Sequence, residues 1–232
     1  MTSFTFPARL LQRLARLALA ADSGNSPLNQ IALRVTPTAC RFSATDGKLL
    51  ACIVHEIIDL QGEPVDVLLD RVQLVAAFKL LSKASAGRVS VTIGATEARL
   101  TVGQDCALIR LRDGNFPSFE HIWQRTADQR WLPCASSLDP AYIAVAQAIV
   151  GKPSVLFRSA VPAQSDALRI WKTEPDAVLR PSDIAAWLNA PAYFSDGELA
   201  ILLMPISRAD TDQTLDLSSF ICQQVSVAAL AA

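Results

Sequence analysis

The chain has 232 residues, of which 51% are hydrophobic, and its 21 basic and 22 acidic side chains leave a net charge of −1. That length can bury one large core or two of ordinary size, and the charge balance excludes a protein that coats nucleic acid over its whole surface. No apolar run approaches the roughly 18 residues of a membrane span, so a cytoplasmic location is expected.

A helix pattern recurs along the chain at intervals of roughly 65 residues, each time followed by β-rich sequence. The first helix is predicted over Pro7 to Ala20, with Leu10, Leu14 and Leu17 on one side. Strands follow over Ile31 to Thr36, Ala39 to Ala44 and Leu50 to Ile57. The Asp46-Gly47 pair between the last two has the chemistry of a tight hairpin turn. Asp70 reads as the N-cap of a second helix over Arg71 to Lys83, whose apolar stripe is Leu74, Phe78 and Leu81.

Val89, Val91 and Ile93 alternate with polar residues, as do Ala98, Leu100 and Val102, and Cys106 to Arg112 closes this second repeat as a strand. From Asn115 to Pro133 the pattern lapses into prolines, tryptophans and mixed charge, which reads as a crossing segment. Asp139-Pro140 then starts a third helix through Val150. Val155 to Ser159, Ala167 to Lys172 and Leu199 to Met204 are expected as strands, and Pro181 to Asn189 as a short helix. One helix alternating with about three antiparallel strands, several times over, predicts an α+β fold with its helices gathered on one face of the sheet. The predicted division is 1–125, 126–210 and a tail, 211–232, without a clear period.

The five cysteines, Cys40, Cys52, Cys106, Cys134 and Cys222, are scattered and form no C-x-x-C pair, so reduced core thiols are expected rather than a disulfide framework or a zinc site. The histidines are His55 and His121, in neither H-E-x-x-H nor H-x-E spacing. There is also no G-x-S-x-G, P-loop or G-x-G-x-x-G. Neither catalysis nor a cofactor or metal is expected.

At about 100° per residue, Arg9, Arg13 and Arg16 fall within roughly 60° of one another on the first helix. The second helix adds Arg71, Lys79 and Lys83. These six could contact phosphates without reading bases, weakly and with strong salt dependence. A solvated charged face explains the same residues.

Four segments carry a family resemblance. Ala44-Thr45-Asp46-Gly47-Lys48-Leu49-Leu50-Ala51 resembles the A-T-D-G-H-R-L-A hairpin of the bacterial replicative sliding clamp, the β subunit of DNA polymerase III. Lys48 and Leu49 replace its His and Arg. Arg112 to Phe119 is similar to the family's D-G-R-F-P-D-Y stretch, Leu138 to Tyr142 to its F-N-P-x-Y helix start, and Leu203-Met204-Pro205-Ile206 to its V-M-P-M terminus. The likeness covers most of residues 1–122 and fragments of 138–206, matching the middle and last domains of a three-domain protein in shortened form.

The resemblance implies a clamp fold with helices on one face and sheets on the other, and a tether rather than a catalyst. It places Leu28, Thr45, Gly47, Lys48, Leu50, Pro117, His121, Ile122, Leu202, Met204, Pro205 and Ile206 around a pocket that docks peptides of polymerases or repair proteins. An apolar groove of this kind accepts Leu or Phe anchors while backbone groups fix their direction. The implied partners are double-stranded DNA, gripped non-specifically by its backbone, a polymerase or repair protein, and a clamp loader. Two domains per chain imply a homo-oligomer, a ring of three copies rather than two. The alternative is an adaptor or decoy that binds the same peptides without encircling DNA.

Overall fold

The computed structural model describes residues 1–22, 24, 28–81, 87–118, 129–133, 138–152, 155–162 and 192–204. Within them the chain makes three passes of one strand, one helix and three strands. The first is β1 (Thr2–Pro7), α1 (Leu10–Leu17) with a 3₁₀ turn at Ala18–Ala20, β2 (Gln30–Val35), β3 (Ala39–Thr45) and β4 (Leu49–Glu56). The second is β5 (Val65–Asp70), α2 (Arg71–Leu81), β6 (Arg88–Ile93), β7 (Glu97–Val102) and β8 (Asp105–Arg112). The third is β9 (Gln129–Pro133), α3 (Pro140–Val150), β10 (Arg158–Pro162), β11 (Ala192–Ser195) and β12 (Leu199–Leu203).

All pairings are antiparallel, in one curled sheet of order β1-β6-β7-β8-β5-β2-β3-β4-β12-β11-β10-β9. The first two passes exchange their leading strands. β1 pairs β6 from Thr2↔Ile93 to Pro7↔Arg88, and β5 pairs β2 from Gln30↔Asp70 to Val35↔Val65. In the third pass β9 instead pairs β10 of its own repeat.

Alternation decides what the sheet buries. In β1 and β6 every second residue faces the core, because successive side chains of a strand point to opposite faces. The helices lie against that face: Leu10, Leu14 and Leu17 of α1 and Leu74, Phe78 and Leu81 of α2 are buried with Phe4, Phe6 and Phe42. The Phe6 and Phe42 rings meet edge-on at 5.9 Å between centroids. Truncating a fully buried ring such as Phe78 to alanine costs about 3–5 kcal/mol, more than any surface contact described below.

The α+β architecture, the second and third helices and the middle strands agree with the sequence reading within a residue or two. The N-terminus does not. Pro7 ends a strand instead of opening α1, which starts at Leu10, because Thr2–Pro7 presents alternating residues to the core. β5 and β11 were not anticipated; both are short, and β5 flows into α2 with no turn residue between them. Asp70 is the last residue of β5, yet its Oδ1 does accept from the Gln73 amide at 2.9 Å, a cap supplied from a strand end.

Part of the crossing segment forms β9, and the strand expected at Val155 to Ser159 lies later, as β10. The third helix is as expected, with the Asp139 side chain accepting from Ala141 N–H at 2.8 Å and Pro140 in the first turn. Cys40 and Cys52 are buried, and burial pushes the Cys40 thiol up to about 12; Cys106 is exposed. Cys134, Cys222, the segments 167–172 and 181–189, the 125/126 boundary and the tail lie outside the described residues.

Candidate functional site

The Thr45-Asp46-Gly47-Lys48 turn closes on itself through short hydrogen bonds. The Asp46 carboxylate accepts from the Lys48 and Leu49 amides at 2.9 and 2.8 Å, and the Thr45 hydroxyl donates to the Leu49 carbonyl at 2.8 Å. Gly47 sits at φ +94°, a left-handed conformation that glycine adopts without steric cost. A second turn repeats the design: Asp196 accepts from Leu199 N–H at 2.9 Å, and Gly197 has φ +98°.

These two hairpins lie side by side because β4 pairs β12, from Leu49↔Leu203 to Ile53↔Leu199. Beyond the strand, Met204 N–H donates to the Lys48 carbonyl at 2.8 Å. Alternation then sorts the side chains. Leu49, Ala51, Ile53, Leu199, Ile201 and Leu203 enter the main core, while Leu50 and Cys52 face the other side of the sheet with Leu202 and Tyr193. Those four form a separate buried apolar cluster, and Phe116 packs half-buried on it. Met204 stands at its rim, 43% exposed.

α3 anchors the hairpin from below. Tyr142 hydrogen-bonds the Asp46 carboxylate, and the Lys48 ammonium lies 5.9 Å from the centre of the Tyr142 ring. Burial first, and then that carboxylate, hold the Tyr142 hydroxyl above its usual range, so it is a neutral donor at physiological pH. On the sheet face that carries the apolar cluster, the 113–118 segment bounds a cavity of about 570 Å³ against β2, β3 and β5, with Arg34, Arg41, Ser43, Arg112, Phe116 and Pro117 among its walls.

On the helical face, the α1 arginines are engaged by the third repeat. Arg9 pairs with Glu198 at 3.1 Å, and Arg13 with Asp196 at 3.0 Å and Glu198 at 3.3 Å. His55 Nδ1 lies 3.5 Å from the same Glu198 carboxylate. The Arg16 guanidinium covers Gly151 at the C-terminus of α3, where any side chain at 151 would run into it. Carbonyl ends of helices favour such a cation. Arg71 donates to the Ala18 carbonyl at 2.9 Å, and Lys79 is exposed on α2.

No protein-family model matches the chain. It is 30% identical over 122 residues to the beta sliding clamp of Pseudomonas putida KT2440, and to the same extent to that of Pseudomonas aeruginosa PAO1. The match covers 52% of this chain and 32% of each relative, so it spans about a third of the curated relatives' length. Among solved structures, the DNA polymerase III subunit beta from Pseudomonas aeruginosa superposes with a TM-score of 0.60 at 17% identity, over 89% of this chain and 67% of that one. The Bacillus subtilis sliding clamp gives 0.59 at 13% identity, over 88% and 64%.

This is a sliding-clamp fold. The chain resembles part of the bacterial clamp, in keeping with the family likeness of its motifs. Within the clamp fold, Thr45, Gly47, Lys48, Leu50, Leu202 and Met204 come together at the β4–β12 junction. Leu28 lies beside the turn, 3.9 Å from where a Cβ on Gly47 would stand. Pro117 sits next to Phe116, which bridges the apolar cluster and the 570 Å³ cavity. His121, Ile122, Pro205, Ile206 and Lys83 lie outside the described residues.

The sequence reading did not single out Cys52, Phe116, Tyr142 or Tyr193 as site residues. Cys52 follows from Leu50 by the two-residue period of a strand, and Tyr193 from its register opposite Leu202. Ser195-Asp196-Gly197 repeats Thr45-Asp46-Gly47 and marks the second hairpin. Phe116 and Tyr142 stood inside quoted motifs, but their packing depends on contacts between repeats that no local spacing reveals.

Proposed function

We propose that the chain is a sliding-clamp-like processivity factor: it holds duplex DNA without reading its sequence and docks short peptides of polymerases or repair proteins at the β4–β12 junction. It acts by raising effective concentration and carries out no reaction of its own. The observation that carries this reading is the apolar cluster of Leu50, Cys52, Leu202 and Tyr193, formed where strands from two repeats meet and rimmed by Phe116 and Met204. A Leu or Phe side chain of an extended peptide fits such a surface by displacing Phe116 or packing beside it, while the backbone of the Gly47 turn fixes its direction.

In this reading residues 1–125 form one clamp domain and 126–210 an abbreviated second. Copies of the chain associate into a ring, and a loader assists it. DNA phosphates approach Arg9, Arg13 and Arg16, exchanging with Asp196 and Glu198. Surface ion pairs of this type contribute only about 0–1 kcal/mol, so polyanionic DNA can compete for them.

Two measurements test it. Calorimetric titration with a peptide bearing Leu and Phe anchors should show saturable binding that is lost on Leu50→Arg. The protein should also be retained on nicked circular duplex, with a loader supplied, and released once the circle is cut. Peptide binding without retention on circles would leave an adaptor in place of a clamp, and absence of both would end the reading.

A further inference from the structure

The sheet face that bears the apolar cluster continues into a basic hollow. Thr45 lies opposite Leu50, Ser43 opposite Cys52 and Arg41 opposite Val54, so these three β3 residues share the face of the cluster. The Cys52 thiol donates to the Ser43 hydroxyl at 3.3 Å, and Phe116 both packs on the cluster and walls the 570 Å³ cavity. Cluster and cavity are therefore one continuous surface, apolar at the β4–β12 junction and polar over β2 and β3.

The cavity holds an arrangement that costs a sheet stability. Arg34 of β2 and Arg41 of β3 stand directly opposite each other, with Cβ atoms about 5 Å apart, and like charges in that relation oppose the pairing. Asp66 is the next residue across, on β5, and its carboxylate accepts from Arg34 at 2.6 and 2.8 Å. Its strand is two spacings, about 10 Å, from β3. Arg112 enters the wall from β8, where Asp70 accepts from it at 2.8 Å. The walls thus bring three guanidinium groups, from Arg34, Arg41 and Arg112, against the two carboxylates of Asp66 and Asp113. Arg34 and Arg41 are both half-buried, where salt screens a charge less than on an open face, and the planar guanidinium fork matches a carboxylate.

We propose that Arg34 and Arg41 form a carboxylate-binding subsite, which recognises an Asp or Glu side chain of the peptide docked at the β4–β12 junction. The inference rests on the peptide-docking reading above and deepens it by naming a second feature of the partner besides its Leu or Phe anchor. Spacing follows from the register. Arg41 is one strand over from Leu50 and four residues along β3 from Thr45, about 14 Å away. From Cys52 the same construction gives about 8 Å. An extended peptide advances about 3.4 Å per residue, so its acidic residue falls three or four positions from the apolar anchor. A carboxylate there bridges the two guanidinium groups and offsets their repulsion.

Titration calorimetry on the full chain with synthetic peptides tests this. Each peptide carries the Leu and Phe anchors and one Glu, placed next to the anchors or three or four residues from them on either side, and Gln replaces Glu in the controls. Glu at the distant position on one side should bind about tenfold more tightly than Gln, with the ratio shrinking as salt rises. Glu beside the anchors should show no such gain. Arg41→Gln should bring the ratio of Glu to Gln affinities to about one, and Arg41→Glu should reverse the preference in favour of a Lys peptide. If neither variant folds, the position dependence in the native chain decides. Equal affinity for Glu and Gln, a preference for Glu at every position, or a preference that survives Arg41→Gln overturns the subsite and leaves the anchor pocket standing. Binding of no peptide at all would end the docking reading and this inference with it.

Discussion

The Met204 amide donates to the Lys48 carbonyl at 2.8 Å, which ties the end of β12 to the tip of the β3–β4 hairpin although 156 positions separate them in the chain. Two segments that resembled clamp motifs separately are thus one structural unit. The Leu50↔Leu202 pair lies two positions inside it, and Met204 is at the exposed end.

Met204→Ala should therefore weaken binding of a Leu/Phe-bearing peptide by about 1–2 kcal/mol. The fold should hold, since the backbone bond to Lys48 survives and the side chain is 43% exposed. Titration calorimetry with a parallel melting curve checks both halves of the expectation.

Gly47→Ala should act through the turn instead. A Cβ at φ +94° is strained although it would meet only Leu28 at an ordinary 3.9 Å. The expected loss is about 1–2 kcal/mol in stability. Urea unfolding should show a lower midpoint with an unchanged slope.

Asp196→Ala and Glu198→Ala together should release Arg9 and Arg13 from their carboxylates. Duplex DNA should then bind more tightly at low salt. If both arginines reach phosphates, the salt slope should steepen by about two units. Fluorescence anisotropy at several salt concentrations reads this, and Arg9→Ala with Arg13→Ala should flatten the slope.

Asp70 links stability to pH. Burial opposes its ionisation, but hydrogen bonds from Gln73 N–H at 2.9 Å and the Arg112 guanidinium at 2.8 Å outweigh it and hold the carboxyl below its usual range. The folded-state value is thus lower than the unfolded value of about 3.9. Its contribution is full above that unfolded value and disappears as pH falls through the lower folded one. Asp70→Asn should flatten this acid limb and cost about 1–3 kcal/mol at neutral pH, measurable by denaturant titration at stepped pH.

Periodicity was a good guide wherever one face of an element alone meets the core. The stripes Leu10-Leu14-Leu17 and Leu74-Phe78-Leu81 and the alternating strands β6 and β7 could all be read directly. It failed where an element's partner is remote: β1 is a strand because β6 receives it, and β11 because β12 does. The same holds at the site. Thr45, Gly47 and Leu50 were visible in a local turn signature, whereas the ion pairs of Arg9 and Arg13 were not. Helix geometry says which residues share a face but not that an acidic hairpin will occupy it.

The unbroken ladder between β4 and β12 leaves no hinge at the place where partners are proposed to dock. Five residue pairs would have to part before the two sides could swing. The separation of Leu50 and Leu202 is thus set by the spacing of adjacent strands, about 4.8 Å, rather than by a guest. Adjustment to different tails falls to the rim residues Phe116 and Met204, so tolerance for varied guests should track rotamer freedom there and not any bending of the body.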